Sequence, residues 1–376
     1  MQPAKLHIVS YDVPYPPDYG GAIDLFYKIK SLSEAGCEIY LHCYEYGRGH
    51  TSELEKYCKA VWFYPRKTGW KGISLSLPYI VYSRRDKALL QRLQEIDAPI
   101  LFEGIHTTLY LSHPSLKTRY KAVRTHNIEY QYYLQLSQKK NSFFAKTYLK
   151  IETALIRKYE RKLYDANAFF ELSLSDRDYF KEQYPTAQHT FLAPFHPYDE
   201  VSSLPGTGTY CLYHGNLSHP ENREAVLFLL NEVFAGTDIP IVIAGKDPSK
   251  DVIDACNELS NCRRISNPSA ATMEDLIQNA HIHILPTFQQ SGMKLKLLSA
   301  LFGGRHVLVN DAMVHGTGLQ DACTIVNSSE DFINKINELI TKPFTAQQIA
   351  QRREQLAKYN NNYNAQLLRD SIPDKK

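Results

Sequence analysis

The feature that most constrains the fold is a regular alternation of short apolar runs with amphipathic helical periods. Strand-like runs in the first half occupy residues 6–10, 38–44, 61–64, 100–103, 122–125 and 169–173. Helical periods separate several of these runs, the longest at 143–164. Strands that alternate with helices predict a parallel sheet covered by helices on both faces. The chain is therefore expected to belong to the α/β class.

The alternation is interrupted once and then begins again. The segment 192–208, LAPFHPYDEVSSLPGTG, holds three prolines and two glycines with little periodicity, which is typical of a linker. New strand-like runs follow at 210–213, 240–244, 281–285, 306–309 and 324–326. With 376 residues and about 150 residues per domain, two domains are expected.

We predict two Rossmann-like domains that face each other across a cleft, with ligands at the carboxyl ends of the strands. The predicted boundaries are a first domain at 1–195, a linker at 196–208 and a second domain at 209–345. A helical tail at 346–376 is expected to pack back on the first domain.

Charge and cysteine content narrow the functional classes. The net charge of +3 gives no argument for a nucleic-acid partner. The seven cysteines are odd in number and contain no CxxC pair, so we expect reduced thiols and no zinc site. No basic segment followed by an apolar stretch marks a signal peptide, and no run of 18 apolar residues occurs. These features predict a cytoplasmic protein.

A proline-rich segment with paired glycines follows the first strand. It reads PYPPDYGG at 14–21 and ends in Gly20 and Gly21, where a helix opens. The free amides and positive dipole end of that helix suit a phosphate, and glycines allow close approach. A tight strand-to-helix turn explains the same residues equally well.

A second glycine-containing segment, SGMKLKLLS at 291–299, also opens a helix. Gly292 together with Lys294 and Lys296 suits a diphosphate, because amides and cations then lie at one helix end. The alternative is a solvated helix face with leucines in the core. Two lysines two residues apart do not share a helix face, so we expect at most one to reach a ligand.

Polar residues also follow the strand that ends near position 125. His126 and its neighbours Asn127 and Glu129 are expected at the carboxyl edge of the sheet, where His126 could contact a sugar hydroxyl or move a proton. A purely structural histidine is the alternative. The nearby Asp176-Arg177-Asp178 is interpreted as the first turn of a helix capped by Ser175. His281 and His283 lack a third ligand, and no metal site is predicted.

Taken together, these segments resemble the GT4 glycosyltransferases, a retaining family with the GT-B fold, over nearly the whole chain. The matching stretches are IVSYDVPYPPDYGGAIDLFYKIKSLSEAGCEIYL, RTHNIEYQYY, ALIRKYERKLYDANAFFELSLSDRDYF, YHGNLSHPENREAVLFLL, IVIAGKDP, SGMKLKLLSALFGGRHVLVND and VHGTGL. Within them, Glu221 is an insertion in a "Pro-Asn-x-x-Ala" element.

The resemblance implies a nucleotide-sugar donor bound mainly by the second domain and an acceptor bound mainly by the first. It implies transfer with retained configuration, no metal cofactor, and catalytic roles for His126 and Lys296. Asn127 and Glu129 would contact the acceptor. The implied donor-binding residues are Gly20, Gly21, Gly215, Asn216, Lys246, Gly292, Met293, Lys294 and Ser299.

The chain departs from the family pattern at positions that hold the nucleotide. Ser299 stands where the family usually has a glutamate that accepts bonds from the ribose, and Ser291 stands at its partner position. Asn216 replaces a usual arginine. Loss of a charged hydrogen bond costs about 1.5–3 kcal/mol. Three hypotheses follow: an active retaining transferase for cell-surface glycans, a catalytically impaired homologue that binds glycan or a partner subunit, and another GT-B enzyme such as an epimerase or phosphorylase.

Basic and aromatic residues in the first domain suggest a weak peripheral membrane contact and a lipid-linked acceptor. They are Trp62, Arg66, Lys67, Trp70, Lys71, Arg84 and Arg85. The alternative is an ordinary solvated face.

Overall fold

The computed structural model describes residues 4–139, 142–289 and 294–373. The chain forms two compact units. The first contains the residues up to Pro197 together with those from Tyr359 onward. The second contains Tyr198–Gln290 and Lys294–Lys358.

A parallel sheet forms the centre of the first unit, with the strand order β3-β2-β1-β4-β5-β6-β7. Its strands are β1 (Ala4–Ser10), β2 (Cys37–Glu45), β3 (Ala60–Pro65), β4 (Ile100–Glu103), β5 (Lys121–Thr125), β6 (Ala168–Glu171) and β7 (Gln188–Phe191). Its helices in the first half of the chain are α1 (Gly20–Glu34), α2 (Tyr79–Tyr82), α3 (Lys87–Glu95), α4 (Glu129–Lys139), α5 (Phe143–Glu160) and α6 (Leu174–Gln183).

Apolar side chains cover both faces of this sheet and pack against the helices on either side. One face packs Leu6, Ile8 and Ile39 against Leu25 and other residues of α1. The opposite face packs residues such as Val9 and Phe102 against α2, α3 and α5. The central strands β4, β5 and β6 are buried along their whole length, as expected for strands covered by helices on both sides.

The second unit repeats this topology with the strand order β10-β9-β8-β11-β12-β13. Its strands are β8 (Cys211–Asn216), β9 (Ile241–Lys246), β10 (Cys262–Ser266), β11 (Ile282–Leu285), β12 (His306–Val309) and β13 (Thr324–Ile325). Its helices are α7 (Pro220–Phe228), α8 (Lys250–Glu258), α9 (Ala270–Asn279), α10 (Leu295–Gly303), α11 (Asp311–Val314), α12 (Ser329–Leu339) and α13 (Ala346–Gln355). In both units the first strand is central and the order reverses beside it, which is the Rossmann arrangement. The α/β class with two parallel sheets is confirmed.

The end of the chain is divided between the units. Helix α13 belongs with the second unit, whereas α14 (Asn361–Ser371) belongs with the first. Ala365 and Leu368 of α14 join the apolar cluster of α1, and the Arg369 guanidinium donates to the Ala35 carbonyl at 2.9 Å. The tail predicted at 346–376 therefore does not behave as one segment.

The linker predicted at 196–208 is anchored to ordered structure. Gly206 pairs with Phe344 in an antiparallel bridge, and the Ser203 hydroxyl donates to the Gly304 carbonyl at 2.6 Å. His196 donates its backbone amide to Asn361 Oδ1 at 3.2 Å. These contacts satisfy backbone groups of a segment that has no regular secondary structure.

Several element boundaries differ from the sequence predictions because side chains act as caps. Ser173, not Ser175, caps α6, since its hydroxyl accepts from the Asp176 amide at 3.1 Å. Strand β7 was not predicted, because its sequence QHTF is largely polar and lies at the sheet edge. Among the described residues no helix is both long and apolar enough to span a bilayer.

Candidate donor and acceptor sites

Strand order reverses beside β8 in the second unit, where β9 lies on one side and β11 on the other. Open α/β sheets bind ligands at the carboxyl ends of strands at such a point. Asn216 ends β8, and Lys246 lies opposite it at the end of β9. Gly215, Asn216 and Lys246 therefore lie at this edge, whereas Lys294 and Lys296 lie at the start of α10 and Ser299 lies in its middle.

Lys296 lies in the first turn of α10 and turns toward β8. Its Nζ donates to the Tyr213 hydroxyl at 2.9 Å and to Asn222 Oδ1 at 2.7 Å, and it lies 4.7 Å from the centre of the Tyr213 ring. Both hydrogen-bond acceptors are uncharged. The cation is thus held in position without a carboxylate hydrogen bond among the residues that the structure describes.

The environment of Lys296 disfavours its positive charge. The pKa of Lys296 is lowered to about 7, chiefly by burial and next by the charge of Lys294, while Glu221 acts in the opposite direction. An anion placed beside Nζ would restore the charged form, because an opposite charge favours ionisation. The charge of Lys296 is therefore sensitive to any anion that binds beside it.

The loop after β8 is fixed by a short hydrogen-bond chain. Asn222 Nδ2 donates to the Asn216 carbonyl at 2.7 Å, and Asn216 Oδ1 accepts from the Ser218 amide at 3.0 Å. The Asn216 side chain therefore closes its own turn. The same Asn222 holds Lys296, so one side chain links the loop to the cation.

Glycine at position 245 permits the close approach of β8 and β9. A Cβ added there would lie 1.8 Å from the Gly215 carbonyl oxygen, which is sterically impossible without a shift of the backbone. At Gly215, the atom nearest to an added Cβ would be Asn222 Nδ2, at 3.3 Å. Gly245 lies in the matching stretch IVIAGKDP, but its packing role is visible only in the structure.

The remaining predicted donor residues are placed as follows. Lys294 is the residue that precedes α10, and Lys246 is exposed at the end of β9. The Ser299 hydroxyl donates to the Leu295 carbonyl of its own helix at 3.2 Å. Gly292 and Met293 lie outside the described residues.

The corresponding point of the first unit lies beside β1 and holds a buried network of charges. Lys28 Nζ donates to Asp24 at 3.0 Å and to both oxygens of Glu103 at 2.8 and 2.9 Å. Arg124 donates to Asp24 at 2.9 Å and to the Leu192 carbonyl at 2.8 Å. Two carboxylates are thus balanced by two cations inside the protein.

His126 joins this network at its edge. Its Nε2 donates to Glu103 Oε2 at 3.2 Å, and the Tyr11 ring packs edge-on at 5.4 Å. Burial opposes ionisation of Glu103, but Lys28 and then His126 keep its pKa below the usual range. An ionised Glu103 fixes Nε2 of His126 as a donor, which leaves Nδ1 as the acceptor in the neutral ring.

Ligand atoms of Asp24, Glu103 and His126 lie within 4.8 Å of one another, a spacing that a metal ion could bridge. The carboxylates, however, are already engaged by Lys28 and Arg124. A metal ion would have to displace these cations from a charge-balanced cluster. The donor set fits an internal ion-pair network better than a metal centre.

Gly20 and Gly21 open α1. Tyr19 precedes the helix without a side-chain cap, and no acidic residue lies in the first turn. A Cβ on Gly21 would lie 1.8 Å from the Tyr11 hydroxyl, so glycine is needed there for packing against Tyr11. The structure thus supplies a packing reason for Gly21 beside the phosphate interpretation.

Glu129 is buried at the start of α4, and Asn127 hydrogen-bonds with it. Burial raises the pKa of Glu129 to about 7. Burial likewise raises the pKa of Glu160 to about 8, to which the charge of Glu129 contributes. The Glu129 carboxyl therefore lies inside the unit, and Asn127 is the more accessible of the two predicted acceptor residues.

Sequence reasoning missed Lys28, Glu103, Arg124 and Tyr213. Each lies in a different helix or strand, so no local spacing connects them. Asn222 was the one further residue that a local motif could have indicated, since it lies in the Pro-Asn-x-x-Ala-like element.

We compared the chain with protein-family models, with curated proteins and with solved structures. No family model matches the chain. An uncharacterized 44.6 kDa protein in the cps region of Klebsiella pneumoniae is 26% identical over 349 residues, which cover 88% of this chain and 89% of that protein.

Solved structures match along almost the full length. The lipopolysaccharide outer core galactosyltransferase WaaB in its apo form aligns with a TM-score of 0.65 and 16% identity over 97% of this chain and 99% of that chain. A UDP-forming α,α-trehalose-phosphate synthase from Burkholderia vietnamiensis gives a TM-score of 0.61 and 10% identity over 98% and 96%. Arabidopsis thaliana UGT89C1, complexed with UDP-L-rhamnose, gives 0.56 and 10% over 99% of both chains. The chain has the GT-B fold of these glycosyltransferases.

Proposed function

We propose that this protein is a retaining glycosyltransferase of the GT4 type. It moves a sugar, most simply a hexose, from a nucleotide-sugar donor to a glycan or lipid-linked acceptor in cell-surface polysaccharide synthesis. The observation that carries the proposal is Lys296, which lies at the reversal point of the second sheet and is held by the uncharged oxygens of Tyr213 and Asn222. Such a cation is prepared for an anionic ligand.

The names of similar proteins support this proposal. The solved structures with this fold include a galactosyltransferase, a UDP-forming synthase and a protein complexed with UDP-L-rhamnose. The relative from Klebsiella pneumoniae belongs to a cps region, which favours a role in polysaccharide synthesis. The proposed donor is accordingly a nucleotide diphosphate sugar, with the UDP series as the first candidates.

In the proposed reaction, the bond between the anomeric carbon and the diphosphate breaks while the acceptor oxygen bonds to that carbon. The acceptor proton passes to the departing diphosphate. Lys296 and the start of α10, with Lys294 and Lys246, would stabilise the charge that grows on this leaving group. Gly215, Asn216 and Ser299, together with Gly292 and Met293, would shape the donor site of the second unit. In the first unit, Gly20 and Gly21 would allow a phosphate to approach the start of α1 closely. No metal cofactor is proposed.

The first unit would supply acceptor-side groups. His126, fixed by Glu103, would contact the transferred sugar through its free ring nitrogen, and Asn127 would contact the acceptor. Glu129 would act through Asn127, because its own carboxyl is buried. We place the protein in the cytoplasm at the inner face of the membrane, with no nucleic-acid partner.

Thermal unfolding with UDP, GDP, ADP and their sugars tests the donor site. A ligand at 100 times its Kd stabilises the protein by about 2.7 kcal/mol, which is easily measured. We expect a shift with one nucleotide series that is lost in Lys296→Ala. The matched control is Lys250→Ala, which removes an exposed lysine of α8 paired with Asp254. A shift that survives Lys296→Ala contradicts the proposed site.

A catalytically impaired GT-B homologue is the second candidate, and Ser299 favours it. Its hydroxyl donates to the Leu295 carbonyl and offers a ribose no charged acceptor. Donor hydrolysis and transfer assays separate the two functions. Nucleotide binding without turnover over a broad acceptor panel would favour the impaired homologue.

A further inference from the structure

The most exposed large hydrophobic side chains among the described residues lie on two segments of the first unit. Leu75 is 99% exposed, Phe144 85%, Trp70 79% and Phe143 76%. Trp70 and Leu75 belong to the loop 66–77, whereas both phenylalanines begin α5. Ile73 of the loop is also exposed. An exposed group of large apolar side chains of this kind marks a surface that contacts a partner or a membrane.

The two segments are neighbours. The Tyr79 amide, just after the loop, donates to Glu152 of α5 at 2.8 Å. Arg85 donates to the Lys71 carbonyl at 2.7 Å and so holds the loop. Gly72 is packed within the loop, because a Cβ there would lie 2.4 Å from the Lys67 carbonyl oxygen and 2.5 Å from the Tyr79 ring. The loop is therefore a built structure that presents Trp70 and Leu75 outward.

The charge of this surface is positive. Residues 66–85 contain no acidic residue and four basic residues that are at least partly exposed, namely Arg66, Lys67, Lys71 and Arg85, whereas the fifth, Arg84, is buried. On α5 the exposed charged side chains are basic, namely Lys146, Lys150, Arg157 and Lys158, whereas its acids Glu152 and Glu160 are buried. Apolar side chains interleaved with lysines complement an interface of acyl chains and anionic headgroups.

Two residues of the basic and aromatic patch expected from the sequence, Trp62 and Arg84, are not available at this surface. Trp62 stacks on His42 at 4.8 Å and is not free to insert. Arg84 is buried and donates to the carbonyls of Ile80 and Tyr11 at 2.6 and 3.0 Å. The exposed start of α5, distant in sequence, takes their place.

We propose that the loop 66–77 and the exposed face of α5 form a docking surface for an anionic lipid bilayer. Trp70, Leu75, Phe143 and Phe144 enter the region between headgroups and acyl chains, while the lysines contact lipid phosphates. The inference deepens the proposed function, on which its link to a lipid-linked acceptor rests. Binding to the bilayer does not itself depend on sugar transfer.

Flotation with vesicles of phosphatidylcholine, with and without phosphatidylglycerol, tests the surface. We expect the native chain to float with the anionic vesicles at low salt and to dissociate at high salt. Leu75→Ser combined with Phe144→Ser should weaken binding at least about tenfold. Lys146→Gln combined with Lys150→Gln should weaken it about fivefold for each lysine. Lys59→Gln and Tyr363→Ser, both exposed in the same unit, are the matched controls and should bind as the native chain does.

A second measurement uses the unaltered chain. The protein has two tryptophans, and Trp62 is half-buried and stacked on His42, so quenching by brominated lipid that is lost in Trp70→Phe reports on Trp70. Quenching that persists in Trp70→Phe, vesicle binding that all variants retain, or no binding to anionic vesicles would each overturn the proposal. Self-association that Leu75→Ser with Phe144→Ser abolishes, without vesicle binding, would assign the surface to a second copy of the chain instead. These variants should keep the nucleotide-dependent thermal shift, so failure of membrane docking is distinct from failure of the donor site.

Discussion

The two units share one strand order but fill the reversal point of their sheets in opposite ways. In the first unit Asp24 and Glu103 are matched by Lys28 and Arg124, and the cluster is closed by internal ion pairs. In the second unit Lys296 is held by uncharged oxygens alone, as far as the described residues show. The fold determines that a site can lie at the reversal point of a sheet. The local balance of charges decides whether the residues there form a closed ion-pair cluster that stabilises the unit or leave a cation that an anion can pair with.

The largest expected effect is a loss of stability when one cation is removed from the buried ion-pair cluster of the first unit. Lys28→Met leaves two buried carboxylates with only Arg124 to balance them, and removal of one partner of a buried ion pair costs about 3–5 kcal/mol. Urea denaturation should show this loss in the free energy of unfolding. The double variant Lys28→Met with Glu103→Gln removes one charge of each sign and should recover most of it. An unchanged midpoint in the single variant would show that the cluster is not a stabilising network.

The next effect concerns the ribose position. Ser299→Glu supplies the charged acceptor that the family resemblance expects, and a charged hydrogen bond is worth about 1.5–3 kcal/mol. Nucleotide affinity measured by calorimetry should rise about tenfold or more. Ser299→Gln, similar in size but uncharged, is the control and should gain much less. Weaker binding in Ser299→Glu would place the ribose elsewhere.

The charge of Lys296 should make nucleotide diphosphate binding depend on pH. Burial lowers the pKa of this lysine to about 7, so the free protein loses the cation as pH rises through that value. Affinity should therefore fall above pH 7, by at most about tenfold per pH unit for one proton. Titration of the nucleotide between pH 6 and 9 measures the slope. Lys296→Arg should remove the dependence, because arginine stays charged; a slope that survives this change would point to another group.

The last effect concerns Glu160, a buried carboxyl at the end of α5. Burial raises the pKa of Glu160 to about 8, so the folded state holds a proton that the unfolded state has lost above about pH 4.3. That stabilisation is present below the unfolded pKa and is lost as pH rises through about 8, with a slope of at most about 1.4 kcal/mol per pH unit. Glu160→Gln should flatten the fall in Tm between pH 5 and 8 relative to the native chain. Equal slopes in the two proteins would refute a protonated Glu160.

The sequence predicted many of the strands well, because their signal is local. The strands 6–10 and 100–103 and the restart after the linker were recognisable because apolar periodicity depends on neighbouring residues. The sequence did not predict strand β7, because its residues are largely polar and lie at the sheet edge. It also assigned the cap of α6 to Ser175, whereas Ser173 forms the cap. Two residues of the expected basic and aromatic patch, Trp62 and Arg84, are engaged by distant partners, since Trp62 stacks on His42 and Arg84 is buried against the Tyr11 carbonyl.

The sequence by itself determined an α/β chain with two parallel sheets, since strand and helix periods are written in consecutive residues. It also placed Lys296 beside a helix start and His126 after a strand. Only the tertiary structure decided what these residues touch: Glu103 orients His126 from 23 positions away, and Tyr213 holds Lys296 from 83 positions away. Hydrogen bonds and desolvation act through space, so the charge state of a site depends on residues that no local motif connects.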